Sequence, residues 1–115
     1  IGPDRFVADQ GGAAMALSEY RYIFDRGVRF DEVCDTLHLA LLAVTSMHGQ
    51  TRVRLECAFE CDEPAHAVVI DAASELGRQL NEIFSGFVAR EFGDDAFVIQ
   101  RPSEHPMGQA LARAS

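Results

Sequence analysis

The stretch TRVRLECAFEC, Thr51 to Cys61, decides how this chain is read. Val53, Leu55, Cys57, Phe59 and Cys61 alternate with Arg52, Arg54, Glu56, Ala58 and Glu60. Successive side chains of a strand point to opposite faces of a sheet, so this period of two predicts an extended segment with apolar residues inward and charges outward. Asp62-Glu63-Pro64 is a turn signal, and Ala67 to Asp71 then supplies an apolar, β-branched run that can pair back antiparallel to it. The two segments read as a hairpin with a solvated edge strand and a buried inner strand.

Upstream of the hairpin the period changes to that of a helix. Phe30 precedes a capping Asp31, Glu32 and Asp35 place acids near the positive end of the helix dipole, and Val33, Leu37, Leu41 and Val44 form one stripe. Gly49 is the expected stop. Leu39, Ala40 and Leu42 make the second half apolar nearly all round, so it needs cover on more than one side. Downstream, Ser74 can cap a second helix carrying Leu76, Leu80, Ile83, Phe84, Phe87 and Val88, with Arg78, Gln79, Glu82 and Arg90 on its wet side and Gly93 at its end. Ser85-Gly86 within it reads as a small-residue contact of helix on sheet.

Ala96 to Gln100 is a short apolar strand closed by Pro102. Between Ala13 and Phe30 two patterns compete. Tyr20, Tyr22 and Phe24 alternate as in a strand, whereas Ala13, Ala16, Leu17, Tyr20 and Phe24 also fit a helical stripe. Aromatic content and the turn signal Asp25-Arg26-Gly27 favour a strand over Tyr20 to Asp25. The resulting order predicts one α+β domain over 1–115, a two-layer sandwich of ferredoxin-like βαββαβ form with helices on one face of an antiparallel sheet. The alternative is three helices on a three-stranded antiparallel sheet. Residues 1–18 are expected to be an irregular or helical extension, and 102–115 a flexible tail.

Composition narrows the chemistry. Eighteen acids against ten bases give a net charge of −8 in 115 residues, which repels a phosphate backbone and argues against nucleic acid as a partner. All the bases are arginine, so Schiff-base lysines and the lysine of a P-loop are excluded within the chain. No apolar run is long enough to span a bilayer, so no membrane partner is expected. Cys34, Cys57 and Cys61, an odd set, suit reduced thiols and a cytoplasmic location, although Ile1 is not an initiator and leaves a removed leader open.

No residue set matches a catalytic or metal motif, so no catalytic residue, metal or cofactor is expected. Cys57 and Cys61 are separated by about 13 Å along a strand and read as core residues. Cys34 and His38, at i and i+4, could converge with Cys57 on a metal, and Cys61, Asp62, Glu63 and His66 gather ligand types on a turn; ordinary packing and solvation explain both groups. His48 suits the carbonyl end of its helix. There remains the sheet face away from the helices, where Arg52, Arg54, Glu56 and Glu60 are expected to rim an apolar centre at Val69 with Ile23 or Val98. Such a face fits a non-catalytic, self-associating module, most simply a homodimer. A pocket there in which Arg52 or Arg54 grips a small organic acid is the competing expectation, that of a sensor or small enzyme. A subunit of a larger assembly is a third.

Overall fold

The computed structural model describes residues 17–102, a mixed α+β unit whose three α-helices accompany a four-stranded antiparallel sheet. In chain order these are β1 (Glu19–Phe24), α1 (Phe30–His48), α2 (Gln50–Glu56), β2 (Ala58–Asp62), β3 (Ala67–Asp71), α3 (Glu75–Phe92) and β4 (Phe97–Gln100). The expected N-terminal extension and C-terminal tail, apart from Leu17, Ser18 and Pro102, lie outside the described residues.

The strand order is β2-β3-β1-β4. Tyr22 stands opposite Val68 on β3 and Ile99 on β4, and Phe59 of β2 stands opposite Ile70. This register puts Tyr20, Tyr22, Phe24, Phe59, Val68 and Ile70 on one face, and Glu19, Arg21, Ile23, Glu60, Val69 and Asp71 on the other. Tyr22, Phe24, Val68 and Ile70 join one buried cluster with Val33, Leu37, Ala40 and Val44 of α1 and Leu76, Leu80, Phe84 and Val88 of α3. Both long helices therefore bury their stripes against the same side of the sheet. At the centre the Tyr22 ring meets Phe84 edge-on at 4.9 Å, and its hydroxyl donates to Asn81 Oδ1 at 2.5 Å.

The helix boundaries follow local chemistry. Ser74 Oγ accepts from the Gly77 N–H at 2.9 Å, capping α3 as expected, and Gly93 ends it at φ 92°. Helix α1 starts at Phe30, one residue before the expected start. Its N-cap is Arg29, without a side-chain cap bond. Asp31, expected as the cap, lies in the first turn, where Arg29 holds it at 3.0 Å and reaches Glu32 at 3.8 Å. Gly49 ends α1 at φ 90°, a conformation that glycine adopts without a Cβ penalty. The strand preferred in the ambiguous early segment is present as β1, and the part of its helical alternative over 13–16 lies outside the described residues.

The extended reading of Thr51 to Cys61 is overturned over its first half. Residues Gln50–Glu56 are helical, with Val53 N bonded to Gly49 O at 3.2 Å and Cys57 N to Val53 O at 2.9 Å. The alternation misleads because a short helix on the surface has to bury only one apolar side chain. Val53 is that residue, while Leu55, two positions on and so on the far side of the helix, is 80 % exposed. The Arg52–Glu56 pair at i,i+4 adds a link that a strand would not make. The alternative with three helices on a three-stranded sheet also fails: the third helix comes from this segment, and the sheet keeps its fourth strand.

Candidate interaction surface

Of the four residues expected on the open sheet face, only Glu60 is on a strand. Arg52, Arg54 and Glu56 belong to α2. Arg52 bonds Glu56 Oε2 through Nη2 at 2.9 Å and lies 3.7 Å from Glu75 Oε1, so it links α2 to the first turn of α3. These carboxylates raise the Arg52 pKa, the Glu56 hydrogen bond most of all. Ser74 Oγ donates to the Glu56 carbonyl at 2.6 Å, a second tie between the same two helices. Arg52 is thus engaged in joining helices, away from any pocket on the sheet.

On the sheet face itself, Arg21 and Val69 are opposite each other, as are Ile23 and Val98, so the expected apolar residues do share that face. Their charged neighbours, however, are Glu19, Arg21, Glu60, Asp62 and Asp71, with Arg21 reaching Asp62 at 3.6 Å. On that face Ala67 and Val69 are buried and Ile23 is half-buried, while Val98, at 62 %, is exposed.

A second exposed apolar surface is on α1. Leu39, Leu42 and Met47 are 59 %, 63 % and 60 % exposed. Leu39 is spaced three and four residues from Leu42 and Ala43, and these are each four from Ser46 and Met47, so the five form a connected stripe. Asp31, Glu32 and Asp35, all exposed, occupy the preceding turns of the same outer side. The outer side of α1 is therefore acidic in its first half and apolar in its second. Beyond Gly49 follow Arg52 and Arg54 of α2, where Arg54 and Leu55 are also exposed.

The ligand-type residues are dispersed among structural roles. His66, at φ 57° in the β2–β3 turn, bonds the Val28 carbonyl through Nε2 at 2.9 Å and stacks on Phe30 at 5.1 Å. His48 Nε2 meets Gln79 Oε1 at 2.7 Å, joining the end of α1 to α3. Among the described residues no group of three or more His, Cys, Asp or Glu could hold a metal ion. The thiols are arranged differently from expectation: Cys61 is exposed rather than core, and Cys34 and Cys57 are half-buried. Burial, then the Cys34 contact and the Glu60 charge, push the Cys61 thiol up to about 12. Burial, followed by Glu56, also raises Cys57.

No helix among the described residues is long and apolar enough to cross a membrane. Comparison with protein-family models, with curated proteins and with solved structures found no match for this chain.

Proposed function

We propose that the chain is a non-catalytic, self-associating module, and that two copies pack α1 against α1, antiparallel, about a twofold axis. Leu39 and Leu42 carry this reading: two leucines stand open to solvent in the middle of a helix whose other face is already buried in the core. An exposed apolar stripe rimmed by charge is the mark of a contact surface. Charge supports a second copy as the occupant. An antiparallel pairing centred near Leu42 brings Asp35 of one copy toward Arg54 of the other, and a twofold makes that contact twice. The reading moves the contact from the sheet to the helical layer.

The accompanying fold assignment is a ferredoxin-like split βαβ with α2 added between α1 and β2. The antiparallel order β2-β3-β1-β4 and the shared cluster of α1, α3 and one sheet face support it.

Size-exclusion chromatography with light scattering tests the association. At tens of micromolar the wild-type chain is expected to run as a dimer, and Leu42→Arg as a monomer with an unchanged circular dichroism spectrum. A monomeric wild-type chain at that concentration, or a dimer indifferent to both Leu39→Arg and Leu42→Arg, would overturn the proposal.

A further inference from the structure

We propose that the outer edge of β4 pairs with the β4 edge of a second copy, antiparallel about a twofold axis, so that two sheets become one. This contact is separate from the α1 pairing and does not rest on it.

The backbone register identifies the edge groups residue by residue. Phe24 N bonds His66 O and Ala72 N bonds Ser18 O, both at 2.9 Å, so the even-numbered residues of β1 turn their backbone groups toward β3. Asp25 N bonds Ala96 O at 2.9 Å, so the odd-numbered residues turn toward β4 and meet its even-numbered ones, Ile23 with Val98 and Arg21 with Gln100. The N–H and C=O groups of Phe97 and Ile99 therefore point away from β1, and among the described residues no further strand lies beyond β4.

The side chains on this edge suit a covered strand. Val98, on the open face, is 62 % exposed and Ile99, on the helix-facing side, is 45 % exposed, while Phe97 anchors the strand against Tyr22 and Phe24. Sheet edges that stay single are commonly blunted by charge or proline. Phe97–Gln100 contains neither, whereas β2 at the opposite edge carries Glu60 and Asp62.

Charge selects a second copy as the occupant and fixes its direction. Asp94 and Asp95 precede β4 and Arg101 follows it, all exposed. An antiparallel pair centred on Val98 sets Phe97 of each copy opposite Ile99 of the other, so that the outward backbone groups bond both ways. It also lays Val98 against Val98 and brings the acids of one copy beside Arg101 of the other at both ends. Arg101 donates to the Leu17 carbonyl at 3.1 Å and lies 4.0 Å over the Tyr20 ring, which holds its charge next to the end of β4. A parallel β4 pair would set acids against acids, as would pairing of two β2 edges. The contact is short, so it forms at millimolar concentration, above the range in which α1 pairs, and there it joins dimers to one another.

The Leu42→Arg chain, in which the α1 contact is removed, isolates the β4 contact. Sedimentation equilibrium and amide hydrogen exchange by NMR are measured from tens of micromolar to millimolar. The expected result is a monomer that becomes a dimer at the upper end, with exchange slowing at Phe97 and Ile99, while Val98 and Gln100, whose amides face β1, are protected throughout. Adding Val98→Lys, at a side chain open enough to take it, places like charges face to face and should abolish the association with an unchanged circular dichroism spectrum. A Leu42→Arg chain that stays monomeric at millimolar concentration, association indifferent to Val98→Lys, or slowing at Phe59 and Cys61 of β2 in place of β4 would overturn the proposal. If Leu42→Arg is already dimeric at tens of micromolar, the α1 contact fails; loss of that dimer on adding Val98→Lys then upholds the β4 pairing, and its persistence overturns it.

Discussion

Gly77→Ala and Gly86→Ala are the same substitution in the same helix, and the structure assigns them opposite signs. Gly77 is buried in the first turn of α3, its N–H held by Ser74 Oγ. A Cβ placed there would lie 3.0 Å from Ser74 Oγ and well inside that distance of the Asp71 carbonyl oxygen. The obstacle is backbone at the end of β3, where Asp71 is aligned with Glu19 on one side and Ala58 on the other, so it cannot swing aside as a long side chain would. Either α3 retreats from the sheet or its cap opens. Overpacking of this kind costs about 1–3 kcal/mol, and a lost Ser cap costs about 1 kcal/mol. Against this, alanine returns at most about 1 kcal/mol of helix propensity. The net expectation for Gly77→Ala is a destabilisation of about 1–2 kcal/mol, which lowers Tm by roughly 4–8 °C per kcal/mol in a unit of this size. Gly86 is exposed in the middle of α3, and a Cβ there meets nothing within 4 Å. Gly86→Ala should stabilise by about 0.5–1 kcal/mol. Thermal and urea denaturation followed by circular dichroism read both changes. A Gly77→Ala protein as stable as the wild type, or a Gly86→Ala protein less stable than it, would refute the reasoning.

Arg54→Glu should weaken the dimer by up to about thirtyfold, the scale of two exposed ion pairs of about 1 kcal/mol each, and Asp35→Arg in the same chain should restore part of the loss, as measured by sedimentation equilibrium across a concentration series. Tyr22→Phe removes the donor to Asn81 Oδ1 and should cost about 1 kcal/mol at neutral pH in urea denaturation. Burial raises the Cys61 thiol from 9.0 to about 12 and the Tyr22 phenol above its ordinary 10.0, so the unfolded chain releases these protons first. The stability that these groups hold is then complete below pH 9 and falls as pH rises through their folded values; Tyr22→Phe should flatten the part of the decline that begins near pH 10.

Most elements were legible because local chemistry and burial agree on them. Gly49 and Gly93 do end their helices, Ser74 does cap, and Tyr20, Tyr22 and Phe24 alternate inward on a real strand. Where burial is slight, the pattern loses its meaning. Over TRVRLE, a strand with Val53 and Leu55 inward and a short helix with Val53 alone inward have the same letters, and only the tertiary placement of Val53 separates them. The glycines show the same limit. Gly86 was expected at a close helix–sheet contact, yet Gly77 is the one pressed against the sheet, because the approach is set by where β3 ends. The apolar excess of α1 was visible in its composition, but which leucines stay uncovered depends on how α3 and the sheet wrap it.

The placement of the arginines relative to the exposed leucines has its physical origin at Gly49. Its N–H closes α1 on Thr45 O at 2.8 Å, its own carbonyl opens α2 by accepting from Val53, and its φ of 90° permits both. Without that break α1 would run on through Gln50–Glu56 as one helix. With it, Arg52 and Arg54 sit just past the C-terminal end of α1, where the carbonyl dipoles favour positive charge. Helix α1 consequently carries acids at its positive end and bases beyond its negative end, with leucines between them. An antiparallel twofold is the arrangement in which such a helix meets its own complement at both ends while covering Leu39 and Leu42, whereas a parallel pairing would set acids against acids. The glycine that separates the two helices therefore gives the proposed dimer its direction.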